Sequence, residues 1–192
     1  MTTSGELSRS FGVLGSMYLC KPTKEAVADW RPLLREVASP FLKELRETLG
    51  RIHPDSEREM EDLLWDYTKL FLGPYRLPCP PWESVYTSPK RLLMQEAYDA
   101  VSDFYRQAGL SIGDPNVLQD HVGAELSFLA VLYGKMETEP SNAPHHKELA
   151  ERFLAEHPRR WIPAFSVDME KAADTEFYKV LARATRDLIA AR

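Results

Sequence analysis

A chain of 192 residues fits one domain, residues 1–192, and is long enough to bury a substantial core. Its 24 Lys plus Arg stand against 29 Asp plus Glu, a formal charge of -5, so no basic excess is available to neutralise phosphates and nucleic acid is not an expected partner. The acidic balance suits an arginine-bearing peptide, but it is first of all the ordinary charge of a soluble bacterial protein.

Cys20 and Cys79 lie far apart without a CxxC pattern, which indicates neither a disulfide framework nor a zinc site, and both are expected as reduced thiols. The first apolar stretch is broken by Gly12, Gly15 and Ser16 and has no basic region before it, so it predicts a core helix and not a signal peptide. No apolar run reaches the length of a membrane span. A cytoplasmic protein without stable membrane insertion is the expectation.

In chain order the periodicity is helical throughout, with no sustained β-branched alternation and no Asn-Gly or Asp-Gly hairpin signal. A first helix is predicted over Leu7 to Leu19. Thr23 caps a second that reaches toward Val37, with Pro32 expected to kink or split it. Ser39-Pro40 starts a short helix that stops at Gly50. Ser56 and Glu59 have capping-box spacing, and Met60, Leu63, Leu64, Tyr67, Leu70 and Phe71 form one apolar stripe that leaves Trp65 outside it. From Gly73 to Pro89 five prolines remove backbone donors, which predicts an extended loop. Ser88-Pro89 restarts a helix with Leu93, Ala97, Tyr98, Val101, Phe104 and Tyr105 as its apolar positions, ending at Gly109. After the turn at residues 113–116 a central helix is predicted over Leu118 to Met136, with Val122, Leu126, Leu129 and Tyr133 inward. A linker over 139–144 precedes helices near His145 to Glu156, Arg159 to Lys171 and Thr175 to Ala190. The fold class is therefore all-α: one compact helical bundle with a long proline-rich loop.

Two stretches carry the candidate chemistry. In the proline loop Tyr75, Trp82 and Tyr86 are mounted on stiff backbone, an arrangement that suits capture of a peptide and also suits a loop packed on the core. In the second, Asp120-His121-Val122-Gly123-Ala124-Glu125 opens a helix, where an acid is favoured by the helix dipole and can orient an imidazole or bind a guanidinium. His121 and Glu125 sit one turn apart, half of a metal site. The other half is missing, because His145-His146 lie in a polar linker and His157 precedes a proline. No P-loop, GxSxG or GxGxxG pattern is present, so neither an enzyme nor a metal or other cofactor is expected. A metal-dependent hydrolase using Asp120, His121 and Glu125 is the alternative from another class.

At these two stretches the chain closely resembles the TorD/DmsD family of redox-enzyme maturation chaperones. The family pattern LFxGPxxLPxPPWxSVY reads here from Leu70 to Tyr86, and DHxxxEL from Asp120 to Leu126. Phe153-Leu154, His157 and Trp161 match a later helix of the family. The resemblance implies an all-helical monomer or homodimer that binds the twin-arginine leader and the body of a molybdopterin-containing reductase catalytic subunit before export. A NarJ-like assembly chaperone for a nitrate reductase-type subunit is its near alternative. Carried over by position, the leader-binding residues would be Tyr67, Phe71, Tyr75, Trp82, Ser84, Tyr86, Asp120 and His121; on charge alone, Glu83 and Glu125 could help Asp120 supply carboxylate to the leader's guanidinium groups. Tyr67 and Tyr75 stand where some relatives have tryptophan, and Gln119 where many have proline.

Overall fold

The computed structural model describes residues 3–74 and 76–192. Ten α-helices organise the described residues: α1 (Ser4–Leu19), α2 (Lys24–Arg35), α3 (Lys43–Arg51), α4 (Glu57–Tyr67), α5 (Glu83–Thr87), α6 (Glu96–Gln107), α7 (Val122–Thr138), α8 (Ala143–Glu156), α9 (Pro158–Ala172) and α10 (Glu176–Ala190). Thr23 and Ser56 accept from the amides of Ala26 and Glu59, as their spacing predicts. α2 runs through Pro32 to Arg35 without splitting.

The buried faces meet in one core. α1 lies along α7, α9 packs on α10, and α8 and α3 close against α7 and α10. The α1–α7 contact is tight because both helices present glycine where they touch. A β-carbon on Gly15 would sit 2.9 Å from the Gly123 carbonyl oxygen, and one on Gly123 2.9 Å from that of Gly15. That approach fixes the first turn of α7. Tyr18, Tyr67, Phe71 and Tyr178 interlock by edge-to-face and tilted contacts on one side of the core. Phe104, Tyr105, Phe128 and Phe153 do the same on another.

Four boundaries differ from the sequence expectation. The stripe of α4 does not stay α-helical to Phe71: residues Thr68–Leu72 widen into a π turn closed by the Gly73 amide on the Thr68 carbonyl, and the positive φ of Gly73, 63°, turns the chain out of the helix. Leu64 faces solvent, as does Trp65 at 72% exposure. The extended loop contains a helix, α5, because the prolines stop at Pro81 and the next residues are free to donate. The following helix starts at Glu96 and not at Pro89. Arg91 and Met94 adopt φ of 51° and 54°, which an α-helix cannot contain, and Leu93 is exposed. Finally, α7 begins at Val122, four residues after Leu118, with the His121 side chain accepting from the Gly123 amide.

Candidate functional site

The proline segment and the start of α7 are joined by backbone. Trp82 and His121 form an isolated antiparallel bridge, in which the Glu83 amide donates to the Asp120 carbonyl at 2.9 Å and the Val122 amide to the Pro81 carbonyl at 2.9 Å. The two rings stand edge to face with centroids 6.0 Å apart. Beneath them the Asp120 carboxylate accepts from the Ser84 amide at 2.9 Å, and Ser84 Oγ accepts from the Gln95 amide at 3.2 Å. A chain of hydrogen bonds thus ties α7, α5 and the segment before α6. Tyr105 adds a bond from its hydroxyl to the Gln119 carbonyl, 2.8 Å, holding the turn just ahead of Asp120.

Under that tie lies a buried polar set. Glu83 Oε2 lies 2.7 Å from His157 Nδ1, and Trp161 Nε1 donates to Glu125 Oε2 at 3.0 Å. Asp120, Glu83 and Glu125 are almost wholly shielded from solvent, and Asp120 Oδ1 and Glu125 Oε1 have no hydrogen-bond partner among the described residues. Burial, then the nearby Glu83 charge, push the Glu125 carboxyl well above the usual carboxylate range and favour its protonated form. Burial and the same three carboxyls raise Tyr105.

The expected leader-binding residues therefore fall into two layers. Trp82, Tyr86 and His121 are half-buried and reach the surface. Tyr67, Phe71, Ser84 and Asp120 are buried below them, the first two within the aromatic core. Tyr75 lies outside the described residues. Asp120 is thus a fastener under the surface in this conformation, where sequence alone placed an acid at the groove. Tyr86 donates to Asp168 Oδ2 at 3.2 Å, and the Arg91 guanidinium lies over its ring. Leu77, Pro80, Trp82, Val85 and Leu93 line a cleft of about 510 Å³ together with Asp168 and two arginines, Arg76 and Arg91. Asp168 and Gln95 carry no signal in the sequence, and Tyr105 reads there only as an apolar helix position. The family spacing is the signal that singles out His157 and Trp161 for the site.

A family model for the nitrate reductase delta subunit matches residues 23–167. The chain is 28% identical over 187 residues to the Tat proofreading chaperone DmsD of Salmonella typhi, covering 91% of this chain and 82% of that protein. It is 32% identical over 126 residues to a probable Tat proofreading chaperone DmsD of Haemophilus influenzae, covering 65% of this chain and 57% of that one. The chain belongs to the TorD/DmsD family. Chaperone protein YcdY of Escherichia coli is 28% identical over 182 residues, covering 93% of this chain and 89% of that protein. A solved structure from Archaeoglobus fulgidus, assigned as a redox enzyme maturation protein, shares the fold: TM-score 0.67 at 22% identity, covering 95% of this chain and 93% of that chain.

In this TorD/DmsD chain the hydrolase alternative is not favoured, because its three residues are committed separately. Asp120 holds Ser84, His121 Nδ1 accepts from the Gly123 amide at 3.1 Å, and Glu125 holds Trp161. Among the described residues no group of three His, Cys, Asp or Glu is arranged to hold a metal, and no helix is long and apolar enough to cross a membrane.

His121 makes the site acid-sensitive. Burial lowers its pKa to about 4, and the bond from Gly123 requires an unprotonated Nδ1. The unfolded chain takes up this proton first, so the contribution is complete above the ordinary histidine pKa and is lost as pH falls through the folded value. Glu125 acts with the opposite sign: its raised pKa favours the fold below the ordinary glutamate value and loses that contribution as pH rises through the folded one. His121→Asn, which keeps a capping acceptor without the titration, is expected to remove about 1–2 kcal/mol of the wild-type stability lost between pH 6.5 and 4. Urea unfolding of both proteins across that range measures it, and identical profiles would count against the assignment.

Proposed function

We propose that this protein is a cytoplasmic, non-enzymatic chaperone that binds the twin-arginine signal peptide of a molybdopterin-containing oxidoreductase subunit and assists its maturation before export. The observation that carries the reading is the joining of the proline loop to the start of α7 at Trp82 and His121, beside the cleft that ends at Asp168. A twin-arginine leader combines guanidinium groups with an apolar stretch, and its receptor needs an apolar, aromatic groove with carboxylate within reach. Trp82, Leu77, Val85 and Leu93 supply the groove, and Asp168 the carboxylate. Asp120 holds the Ser84 amide beneath that surface, while Phe71 and Tyr67 belong to the aromatic core. The cleft has the volume of a small-molecule pocket, so it takes several side chains of the leader and not its whole length.

Titration of the full chain with fluorescently labelled leader peptides tests the reading. A leader with its arginine pair is expected to bind saturably, and replacing both arginines by lysine to weaken binding by about tenfold, since lysine cannot make the bidentate contact. A leader that binds no better than its scrambled sequence would remove the proposal.

A further inference from the structure

Trp65, on α4, is the most exposed large apolar side chain among the described residues, at 72%. Its ring stacks on no other, and its Nε1 hydrogen has no acceptor among those residues. One turn earlier on the same helix, Asp62 and Leu63 form part of a mainly apolar cleft of about 280 Å³ that α4 shares with the end of α3 and the start of α10. Ile52, Leu63 and Phe177 give it an apolar lining, and Arg51 and Asp62 are exposed at its rim. That volume falls below the range of small-molecule sites, about 300–1,000 Å³, and suits one large side chain.

A projecting ring and a cleft of matching size, side by side on one helix, are the two halves of an isologous interface. In a two-fold dimer each contact occurs twice, so a surface that carries both a knob and its hole pairs with a copy of itself. The polar groups agree. A Trp ring that becomes buried needs an acceptor for its N–H, and the Asp62 carboxylate supplies one at the rim, while the Arg51 guanidinium is available to the ring face. Neither Asp62 nor Arg51 pairs with another charge among the described residues. Glu59 and Glu176, the other carboxylates of the cleft, are already committed to His53 and Arg183. Beside Trp65 stand two more exposed and unpaired charges of opposite sign, Glu61 one turn before it and Arg58 two turns before it, on the same side of the helix. With both signs free on knob and hole alike, a second copy can meet each charge with its opposite, whereas a uniformly acidic or basic partner would leave like charges facing each other.

We propose that two copies of this chain associate through α4, each inserting Trp65 into the cleft between α3, α4 and α10 of the other. The contact uses no residue that lines the Trp82 cleft.

Sedimentation of the full chain from about 1 to 500 μM tests it, and the weight-average mass is expected to rise reversibly from one chain toward two across that range. Trp65→Ala removes both knobs of a dimer and is expected to weaken association by at least about 100-fold, with unchanged thermal unfolding at low concentration because the ring is exposed. Asp62→Arg, which places a second cation at the rim beside Arg51, is expected to weaken association in the same way. An equimolar mixture of the two variants restores one intact knob and hole per mixed dimer, and should associate about tenfold more tightly than either variant alone. Binding of the labelled leader peptide should be the same in Trp65→Ala as in the wild type. A single-chain mass across the whole range, an undiminished dimer in Trp65→Ala, or a mixture no better than its components would each overturn the proposal. A loss of leader affinity in Trp65→Ala would also overturn it, by giving the α4 face to the leader.

Discussion

Glu83→Ala is expected to lower stability by about 3–5 kcal/mol at neutral pH, because it strands the His157 ring in a shielded site without its partner. The substitution leaves the backbone bridge to Asp120 in place, so the loss reads the side-chain pair. His157→Ala is expected to be comparably costly, for it leaves the buried Glu83 beside Glu125 without its imidazole partner. The double variant should lose much less than the sum, since each single change already removes the shared contact. Glu83→Gln keeps a hydrogen bond to the ring and should lose only about 1–2 kcal/mol. Urea unfolding at pH 7 measures all four. A Glu83→Ala loss below about 1 kcal/mol, or strict additivity, would mean that the pair does not hold α5 onto α9.

The helices were legible wherever a single period and a cap agreed. α4, α7 and α10 lie close to where Ser56, the 122–133 stripe and the end of the chain placed them, because amphipathic periodicity reports burial directly. The segment between Thr68 and Gln95 was less legible, for three physical reasons. A π turn has the same residue pattern as the helix it interrupts. Arg91 and Met94 take a conformation that sequence assigns to glycine or asparagine. Ser84 Oγ captures the Gln95 amide across eleven residues, so the boundary of α6 is set by a tertiary bond. The same limit governs the site. Spacing brought Trp82 and Asp120 into view as a pair, and their segments do meet, but nothing local to Asp120 reports that its carboxylate is spent on the Ser84 amide. Asp66 behaves likewise: it reads as a helix residue and caps α10 through the amides of Asp174 and Thr175. Buried carboxylates satisfied by distant backbone donors are invisible to a pattern, since the partner is fixed only by the fold.

Trp82→Ala is expected to weaken leader binding by about 100-fold while leaving stability nearly unchanged. A large half-exposed ring at the wall of a recognition cleft contributes apolar contact of the size seen at interface hot spots, about 2–3 kcal/mol on truncation. Its backbone bridge to His121 does not depend on the side chain. Asp120→Ala should behave differently: affinity and stability fall together, because the Ser84 amide loses its acceptor and the turn that presents Trp82 loosens. The two variants, each measured by leader titration and by unfolding, separate a contact from a support. Full leader affinity in Trp82→Ala would move the binding surface away from the proline loop. A loss of affinity in Asp120→Ala at undiminished stability would instead put its carboxylate against the leader's arginine, which requires the Trp82–Ser84 segment to swing off the start of α7.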